Sequence, residues 1–139
     1  MLYLNGIPYP KEVVSSTINT ELIDLRDSLR EIPTNKELFH KKKEIAFREI
    51  YHMTFPVAID EDDDYEFLLS PDSWTHNGVF AFAVRDENMV RIMVDQLIYC
   101  KEEGRHLLTN TRINEVYISY KEIESIVRDV TNAIRDTRR

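Results

Sequence analysis

Glycine and cysteine are scarce in this sequence, and each shortage excludes a class of protein. The three glycines stand far apart at Gly6, Gly78 and Gly104, so no glycine-rich loop can cradle a phosphate group. Because Cys100 is the only cysteine, an internal disulfide is excluded, and we expect a reducing, cytoplasmic setting. The few glycines, together with only five prolines, argue against repeats, linkers and low-complexity segments.

Long apolar runs and an excess of basic charge are also missing. No stretch approaches the roughly eighteen apolar residues of a membrane span, and residues 1–10 lack the pattern of a secretion signal. A pI of about 5.1 disfavours general nucleic-acid binding, since a basic patch supplies most of that affinity. The 139 residues are 42% hydrophobic and 31% charged, which predicts one globular domain over residues 1–139.

Acidic residues, in contrast, are concentrated in one short segment. The formal net charge is −7, and it falls to −1 when six acids within seven positions are left out. Such a segment repels itself, stays in water and attracts either a cation or a basic protein surface. We call this segment the acidic run; its members are Asp60, Glu61, Asp62, Asp63, Asp64 and Glu66.

A calcium site of the EF-hand type is the first chemistry to test on the acidic run. Asp60, Asp62 and Asp64 match the first, third and fifth ligand positions of that loop. The sixth position requires glycine and is Tyr65, while the twelfth requires glutamate and is Pro71. The EF-hand is therefore excluded. A looser Mg²⁺ or Ca²⁺ site, a partner-binding loop and a merely solvated turn remain as alternatives.

Local catalytic signatures are missing from the sequence. The four histidines, His40, His52, His76 and His106, have no metal-ligand spacing. No Gly-x-Ser-x-Gly elbow occurs, and Ser73 with His76 is too loose a pair to define a triad. Cys100 is expected to be a buried, structural thiol. We predict neither a catalytic residue, nor a metal ligand, nor a cofactor.

The first half of the chain predicts a short hairpin followed by two helices. Asn5-Gly6 suits a tight turn between short strands. Apolar residues at helical spacing then predict helices over 17–31 and 35–53, with Thr34 and Glu37 as a capping box. Since Pro33 leaves only a short connection, we expect the two helices to form an antiparallel hairpin.

The second half predicts a small sheet with further helices. Extended segments are expected at 57–59, 65–69, 79–84 and 116–120, because of their β-branched and aromatic residues. A third helix is predicted over 89–100, capped by Asp86, and a last helix begins at Ser119 with Glu122 as its capping partner. The fold class is α+β, with a small antiparallel sheet of three to five short strands packed against about four helices.

Two further features bear on partners. A basic side of the second helix is expected either to be solvated, to pair with the acidic run, or to contact phosphate or an acidic partner; its residues are Lys41, Lys42, Lys43 and Arg48. Trp74 lies in a polar turn between Ser73 and Thr75. We expect its indole to be exposed and to anchor an interface.

These observations predict a non-enzymatic protein-binding module. The chain is expected to inhibit, neutralise or regulate a basic protein, for example a nuclease, through the acidic run and Trp74, where opposite charge speeds association. Either a compact monomer or a homodimer is expected, and the homodimer is favoured because symmetric pairs are the commonest oligomers. The alternative is a divalent-metal-dependent hydrolase that uses the carboxylates of residues 60–66.

Overall fold

The computed structural model describes residues 2–5, 7–9, 18–56, 62–108 and 112–137. Helices and strands are mixed along this part of the chain, which confirms the predicted α+β class. The helices are α1 (Ile18–Arg30), α2 (Lys36–His40), α3 (Lys43–Thr54), α4 (Asp72–His76) and α5 (Tyr120–Thr137). The strands are β1 (Leu2–Leu4), β2 (Ile7–Tyr9), β3 (Val79–Asp86), β4 (Met89–Gln96), β5 (Ile98–Cys100), β6 (Arg105–Leu107) and β7 (Asn114–Ser119).

Three antiparallel strands form the central sheet, in the order β3-β4-β7. β3 and β4 are a tight hairpin that pairs Asp86 with Met89, and the turn residue Glu87 has a positive φ of 50°. β7 pairs with the other edge of β4, where Ser119 lies opposite Met89. The strands predicted around 79–84 and 116–120 are thereby confirmed as β3 and β7.

The predicted third helix over 89–100 is wrong, because this segment forms β4 and β5. The two faces of β4 are both buried: Val90 and Val94 belong to one core, and Met93 belongs to the other. A strand that is covered on both faces has a nearly continuous apolar sequence. Periodicity alone cannot distinguish such a sequence from a buried helix.

Two hydrophobic cores lie on opposite faces of the central sheet. The first contains side chains of α2, α3 and one face of β3, namely Phe80, Phe82 and Val84. The second contains side chains of α1, α4, α5 and the other face of β3, namely Val79, Ala81 and Ala83. The alternation along β3 follows from the two-residue period of a strand. The sheet is therefore an inner layer between two helical layers.

The segment between α1 and α2 passes along the edge of β3. Arg85 N donates to the Pro33 carbonyl and Asn35 N donates to the Arg85 carbonyl, each at 3.0 Å. The chain thus crosses from one face of the sheet to the other at this point. Helices predicted over 17–31 and 35–53 are present, but they cover opposite faces of the sheet instead of packing against each other as the expected hairpin.

Arg91 of β4 explains why the helix predicted over 35–53 is two helices. Its Nη1 donates to the carbonyls of Leu38, Phe39 and Lys41 at 3.3, 3.1 and 2.6 Å. In a continuous helix, carbonyls at these positions would accept bonds from later backbone N–H groups. Here the Arg91 guanidinium donates to these carbonyls in place of backbone N–H groups. The helix is therefore interrupted between α2 and α3.

Side-chain caps begin two of the helices. The Asn35 side chain accepts a bond from Leu38 N at 3.0 Å, so Asn35 caps α2 and the predicted cap at Thr34 is wrong. Thr34 instead makes a bridge with Arg85 of β3. At α5 the prediction is confirmed, since Ser119 Oγ accepts a bond from Glu122 N at 3.2 Å.

Two short hairpins lie outside the central sheet, β1-β2 and β5-β6. The first confirms the hairpin predicted around Asn5, although Gly6 lies outside the described residues. Asn5 Nδ2 donates to Asn114 Oδ1 at 2.7 Å and to the Glu115 carbonyl at 2.9 Å, which attaches this hairpin to β7. The strand predicted at 57–59 is outside the described residues, and 65–69 is reduced to one bridge between Leu68 and Phe82.

Candidate functional site

The described part of the acidic run lies at the surface beyond the end of α3. Asp64 N donates to the Met53 carbonyl at 3.0 Å, which attaches the run to that helix. Three of the four described carboxylates of the run are exposed to water, as the sequence predicts for a self-repelling segment. Asp62, Asp63 and Glu66 are exposed and Asp64 is half-buried, while Asp60 and Glu61 lie outside the described residues.

Tyr65 is an aromatic side chain within the acidic run. It is 53% exposed, and its Oη donates to Asp63 Oδ2 at 2.8 Å. That hydrogen bond, with smaller contributions from burial and from the charges of Asp63 and Asp72, raises the pKa of Tyr65. The phenol therefore stays protonated, and it presents an amphipathic surface among the carboxylates.

Acids from other segments extend this negative surface. Ser73 Oγ donates to the Glu21 carboxylate at 2.5 Å, which holds α4 beside α1. Asp27 is paired with Arg26 at 3.2 Å and with Arg30 at 4.0 Å, so its charge is partly compensated by two cations. We call the open groove between these elements, about 650 Å³ in volume, the acidic groove; among its lining residues are Asp24, Asp27, Phe55, Tyr65 and Asp72.

Trp74 does not lie on this surface as the sequence predicted. Its side chain is 5% exposed and belongs to the second core, with Val79 of β3 and Ile123 of α5. The expectation of an exposed indole is wrong because α4 turns this residue inward, while its polar neighbours stay at the surface. A buried indole positions α4 and has no free face for a partner.

A second groove adjoins the acidic groove, and sequence reasoning missed it. Its volume is about 520 Å³. Phe55 and Thr75 line both grooves, so the two surfaces are continuous. The signal in the sequence is weak, because the aromatic residues come from α3, β3, β5 and β6. We call it the aromatic groove; it is defined by Tyr51, Phe55, Phe80, Tyr99 and His106.

His106 is the titratable group of the aromatic groove. Its ring meets those of Phe80 and Tyr99 edge to face, at centroid distances of 5.1 and 5.2 Å. Burial, and to a smaller extent the charge of His76, lowers the pKa of His106 below its ordinary value. The imidazole is therefore neutral at pH 7 and behaves as part of the aromatic wall.

The metal-dependent alternative requires carboxylates that converge on one point. Within residues 2–5, 7–9, 18–56, 62–108 and 112–137, no three or more His, Cys, Asp or Glu side chains are grouped to hold a metal ion. Asp60 and Glu61 are not among these residues. The hydrolase alternative is therefore untested for the complete run and stays a prediction.

Ser73, His76 and Cys100, which were considered above as possible catalytic residues, have structural positions in the fold. Ser73 is not aligned with His76 as a nucleophile, because the serine hydroxyl donates to Glu21 while His76 Nδ1 lies 2.8 Å from the Asp72 carbonyl. Cys100 is half-buried on β5, so the expected position on a helix was wrong.

Lys41, on the basic side of the second predicted helix, does not pair with the described acids of the acidic run. Lys41 Nζ lies 3.1 Å from Glu37 and 2.8 Å from Glu49, which belong to α2 and α3. These local pairs lie near the solvent and contribute little to stability. Lys41 is therefore paired with acids of α2 and α3 and not with the described carboxylates of the acidic run.

Comparison with known proteins gives these surfaces a context. A family model described as Immunity protein 42 matches residues 1–133 of the chain. The chain belongs to the immunity protein 42 family. The crystal structure of CdiI from Burkholderia dolosa AUO158 is similar to this family member, with a TM-score of 0.70 and 25% sequence identity over 88% of this chain and 77% of that chain. No curated protein matches the sequence.

Family membership supports the predicted mode of action. An immunity protein binds and neutralises a partner protein, a toxin, so membership supports an inhibitory, protein-binding role and favours binding over catalysis. No helix in the part of the chain that the structure describes is long and apolar enough to cross a membrane.

Proposed function

We propose that this immunity protein neutralises a toxin with a basic surface, such as the nucleic-acid-binding face of a nuclease, through the acidic run and the acidic groove. The observation that carries the proposal is the meeting of acids from two helices around one groove, Asp24 and Asp27 of α1 and Asp72 of α4. Tyr65, which lines the same groove and donates to Asp63, places the acidic run beside these acids. A solvated turn alone would not collect carboxylates from two helices.

Electrostatic complementarity explains how such a surface would act. Opposite charges steer two proteins together and raise the association rate by about 10- to 1,000-fold at low salt. A basic surface that binds nucleic acid would be covered by the acids, so the toxin could not hold its substrate. Tyr65 supplies the exposed aromatic contact that the sequence assigned to Trp74.

The proposal is tested with two triple variants that have the same net charge but lose their carboxylates at different places on the surface. One variant carries Asp62→Asn, Asp63→Asn and Glu66→Gln in the run. The control carries Glu124→Gln, Asp129→Asn and Asp136→Asn, which are exposed positions of α5. Each variant changes the net charge from −7 to −4. A difference between them therefore reports location and not total charge.

Each bait is used to capture proteins from the native host, and the captured toxin is then purified for binding kinetics. We expect the run variant to associate with the toxin about 10-fold more slowly at low salt and to lose much of the salt dependence. The α5 control should associate within about twofold of the wild-type rate. Equal rates for all three proteins would contradict the proposal.

A further inference from the structure

Aromatic ring contacts run without a break from the acidic groove to the β5-β6 hairpin. Starting at Tyr65, consecutive ring centroids are 6.1, 5.4, 5.1 and 5.2 Å apart. Four such steps fit within the width of about 30 Å of a standard interface patch of about 800 Å² per partner. We call these rings the aromatic band; they are Tyr65, Phe55, Phe80, His106 and Tyr99.

The two ends of the aromatic band are at the surface and its middle is not. Tyr65 and Tyr99 are each 53% exposed, whereas Phe55 and His106 are half-buried and Phe80 belongs to the first core. The packed inner rings hold the outer rings in place, so little conformational entropy remains to be lost when a partner binds. Rigid, exposed aromatic side chains of this kind are typical of binding hot spots.

The hairpin presents Tyr99 to the groove and its neighbour Ile98 to the other side. Tyr99 pairs with His106 across the hairpin, and both line the aromatic groove. Successive side chains of a strand point to opposite faces. Ile98 is therefore on the face turned away from the groove, although it is more exposed, at 68%.

The charges around the aromatic groove decide what kind of side chain it accepts. Arg105 and His76 are also among its lining residues, and Arg105 is paired with Glu103 at 3.2 Å. The described lining of the aromatic groove contains no acidic residue, so a cationic side chain finds no carboxylate there, whereas the adjoining acidic groove offers carboxylates. Cationic groups of a partner are thus directed to the acidic groove, and apolar groups to the aromatic groove.

We infer that the aromatic groove seats an aliphatic or aromatic side chain of the same toxin, which lies beside the basic surface that the acidic groove binds. This inference rests on the proposed function. The resulting interface has an aromatic part, from Tyr65 through Phe55 to Tyr99, beside an acidic part; aromatic residues are enriched in specific protein interfaces. The acids then govern how fast the toxin is found, and the aromatic groove governs how long it is held.

Dissociation rates test this division between the two grooves. We expect Tyr99→Ala to speed dissociation of the purified toxin about 10- to 30-fold, because truncation of an aromatic hot spot weakens binding by this order. Its association rate and salt dependence should stay within about twofold of wild type, since no charge changes. The matched control Ile98→Ala, on the same strand and the opposite face, should dissociate within about threefold of wild type.

The two proposals fail in different ways. If the run variant associates slowly but Tyr99→Ala dissociates at the wild-type rate, the aromatic groove is not part of the interface and only this inference is wrong. If Tyr99→Ala releases the toxin faster while the run variant behaves as wild type, the electrostatic part of the proposed function is wrong. Loss of binding in Ile98→Ala equal to that in Tyr99→Ala would show general damage to the hairpin and overturn the inference.

Photo-crosslinking identifies the occupant directly. With p-benzoyl-phenylalanine in place of Tyr99 in the full chain, we expect an adduct with the toxin, and none when the same group replaces Ile126 on the exposed side of α5. An adduct between two copies, at twice the 16.5 kDa of the chain, would assign the groove to a homodimer. That adduct, or the absence of any adduct, would overturn the inference.

Discussion

Among single residues, Arg91 connects three segments, β4, the end of α2 and β7, and the sequence around it does not indicate this. The side chain is 2% exposed; it binds carbonyls at the end of α2 and pairs through Nη2 with Glu115 of β7 at 2.8 Å. A buried guanidinium is stable only where nearly all of its donors are used. The sequence gives no sign of this role, because the partners are about 25 and 50 residues away.

Replacing Arg91 should therefore be costly. Arg91→Met leaves the carbonyls of α2 without their donor and Glu115 without its cation, so we expect the free energy of unfolding to fall by about 3 kcal/mol. Arg105→Met, which removes an exposed ion pair with Glu103, should change it by less than about 1 kcal/mol. Urea unfolding followed by circular dichroism measures both. Similar losses in the two variants would contradict the assigned role of Arg91.

His106 should make stability depend on pH near neutrality. Its folded-state pKa is lowered, chiefly by burial, so the unfolded chain takes up a proton first as the pH falls through the ordinary value of about 6.5. Stability is then fully present above that pH and declines below it. The charged and titratable groups lining this groove with His106 are Tyr51, His76, Tyr99 and Arg105.

The His106→Phe variant isolates this contribution, since a phenyl ring retains the contacts with Phe80 and Tyr99. We expect wild type to lose more stability than the variant between about pH 7.5 and pH 5.5, where carboxylates remain ionised. Urea midpoints at several pH values measure the difference. Parallel curves for the two proteins would show that His106 does not carry the effect.

Single residues also show where sequence reasoning succeeds and where it stops. The exposure of Asp62, Asp63 and Glu66 follows from their mutual repulsion alone, and the structure agrees. Trp74 was misjudged because its burial depends on how α4 is oriented over the sheet, which no neighbour in sequence determines. Tyr99 and His106 were missed because the β5-β6 hairpin brings them together, and that hairpin was not predicted.

At the scale of elements, helical periodicity identified α1 and α5 because each exposes one side to water. The same reasoning placed a helix at β4, whose two faces are both covered. The grooves depend on elements that a local pattern does not orient: α4, the β5-β6 hairpin and the end of α3. The acidic half of the candidate site was therefore predictable in part, and the aromatic half was not.

The turn from α4 into β3 depends on the backbone conformation of Gly78. Gly78 has φ of +81°, and an added Cβ would lie 2.4 Å from the Leu97 carbonyl oxygen. Gly104 also has a positive φ, +65°, but an added Cβ there meets nothing within 4 Å. Both sites disfavour an L side chain, but only Gly78 adds a steric clash with backbone.

We expect Gly78→Ala to lower the free energy of unfolding by about 2–4 kcal/mol and Gly104→Ala by about 1 kcal/mol. Thermal unfolding measures the loss of stability in each variant. The difference between the two losses reports the steric clash at Gly78, since both positions have a positive φ. Because Leu97 N also donates to the Gly78 carbonyl at 2.7 Å, the first variant should loosen β3 and β4 where they meet β5. Equal costs at the two glycines would contradict the steric argument.

At the scale of the whole molecule, the covered edge of β3 bears on the expected homodimer. Leu69 N donates to the Ala81 carbonyl and Ala83 N to the Phe67 carbonyl, at 2.7 and 2.9 Å, so residues 67–69 occupy hydrogen-bonding groups that a second copy would need. A dimer formed by extending the sheet at β3 is disfavoured for this reason. The homodimer stays a prediction that requires another surface, and light scattering distinguishes it from the 16.5 kDa monomer.

The net charge of −7 is concentrated in the acidic run, and this affects the stability of the protein even in the absence of a partner. Exposed carboxylates that repel one another do not stabilise the fold. The run variant (Asp62→Asn, Asp63→Asn and Glu66→Gln) should therefore be as stable as wild type or up to about 1 kcal/mol more stable at low ionic strength.

The amide at position 63 still provides an oxygen to accept the bond from Tyr65, so the local structure should persist. Any gain in stability should disappear in about 1 M salt, where the screening length is about 3 Å. Urea unfolding at the two salt concentrations, with the α5 variant as the control of equal net charge, measures this. If the run variant is instead less stable by more than about 1 kcal/mol, the wild-type carboxylates at these positions bind a cation or a buried group of the protein itself. Such a result would favour the metal-binding alternative over the proposal that the acidic run is a free, toxin-binding surface.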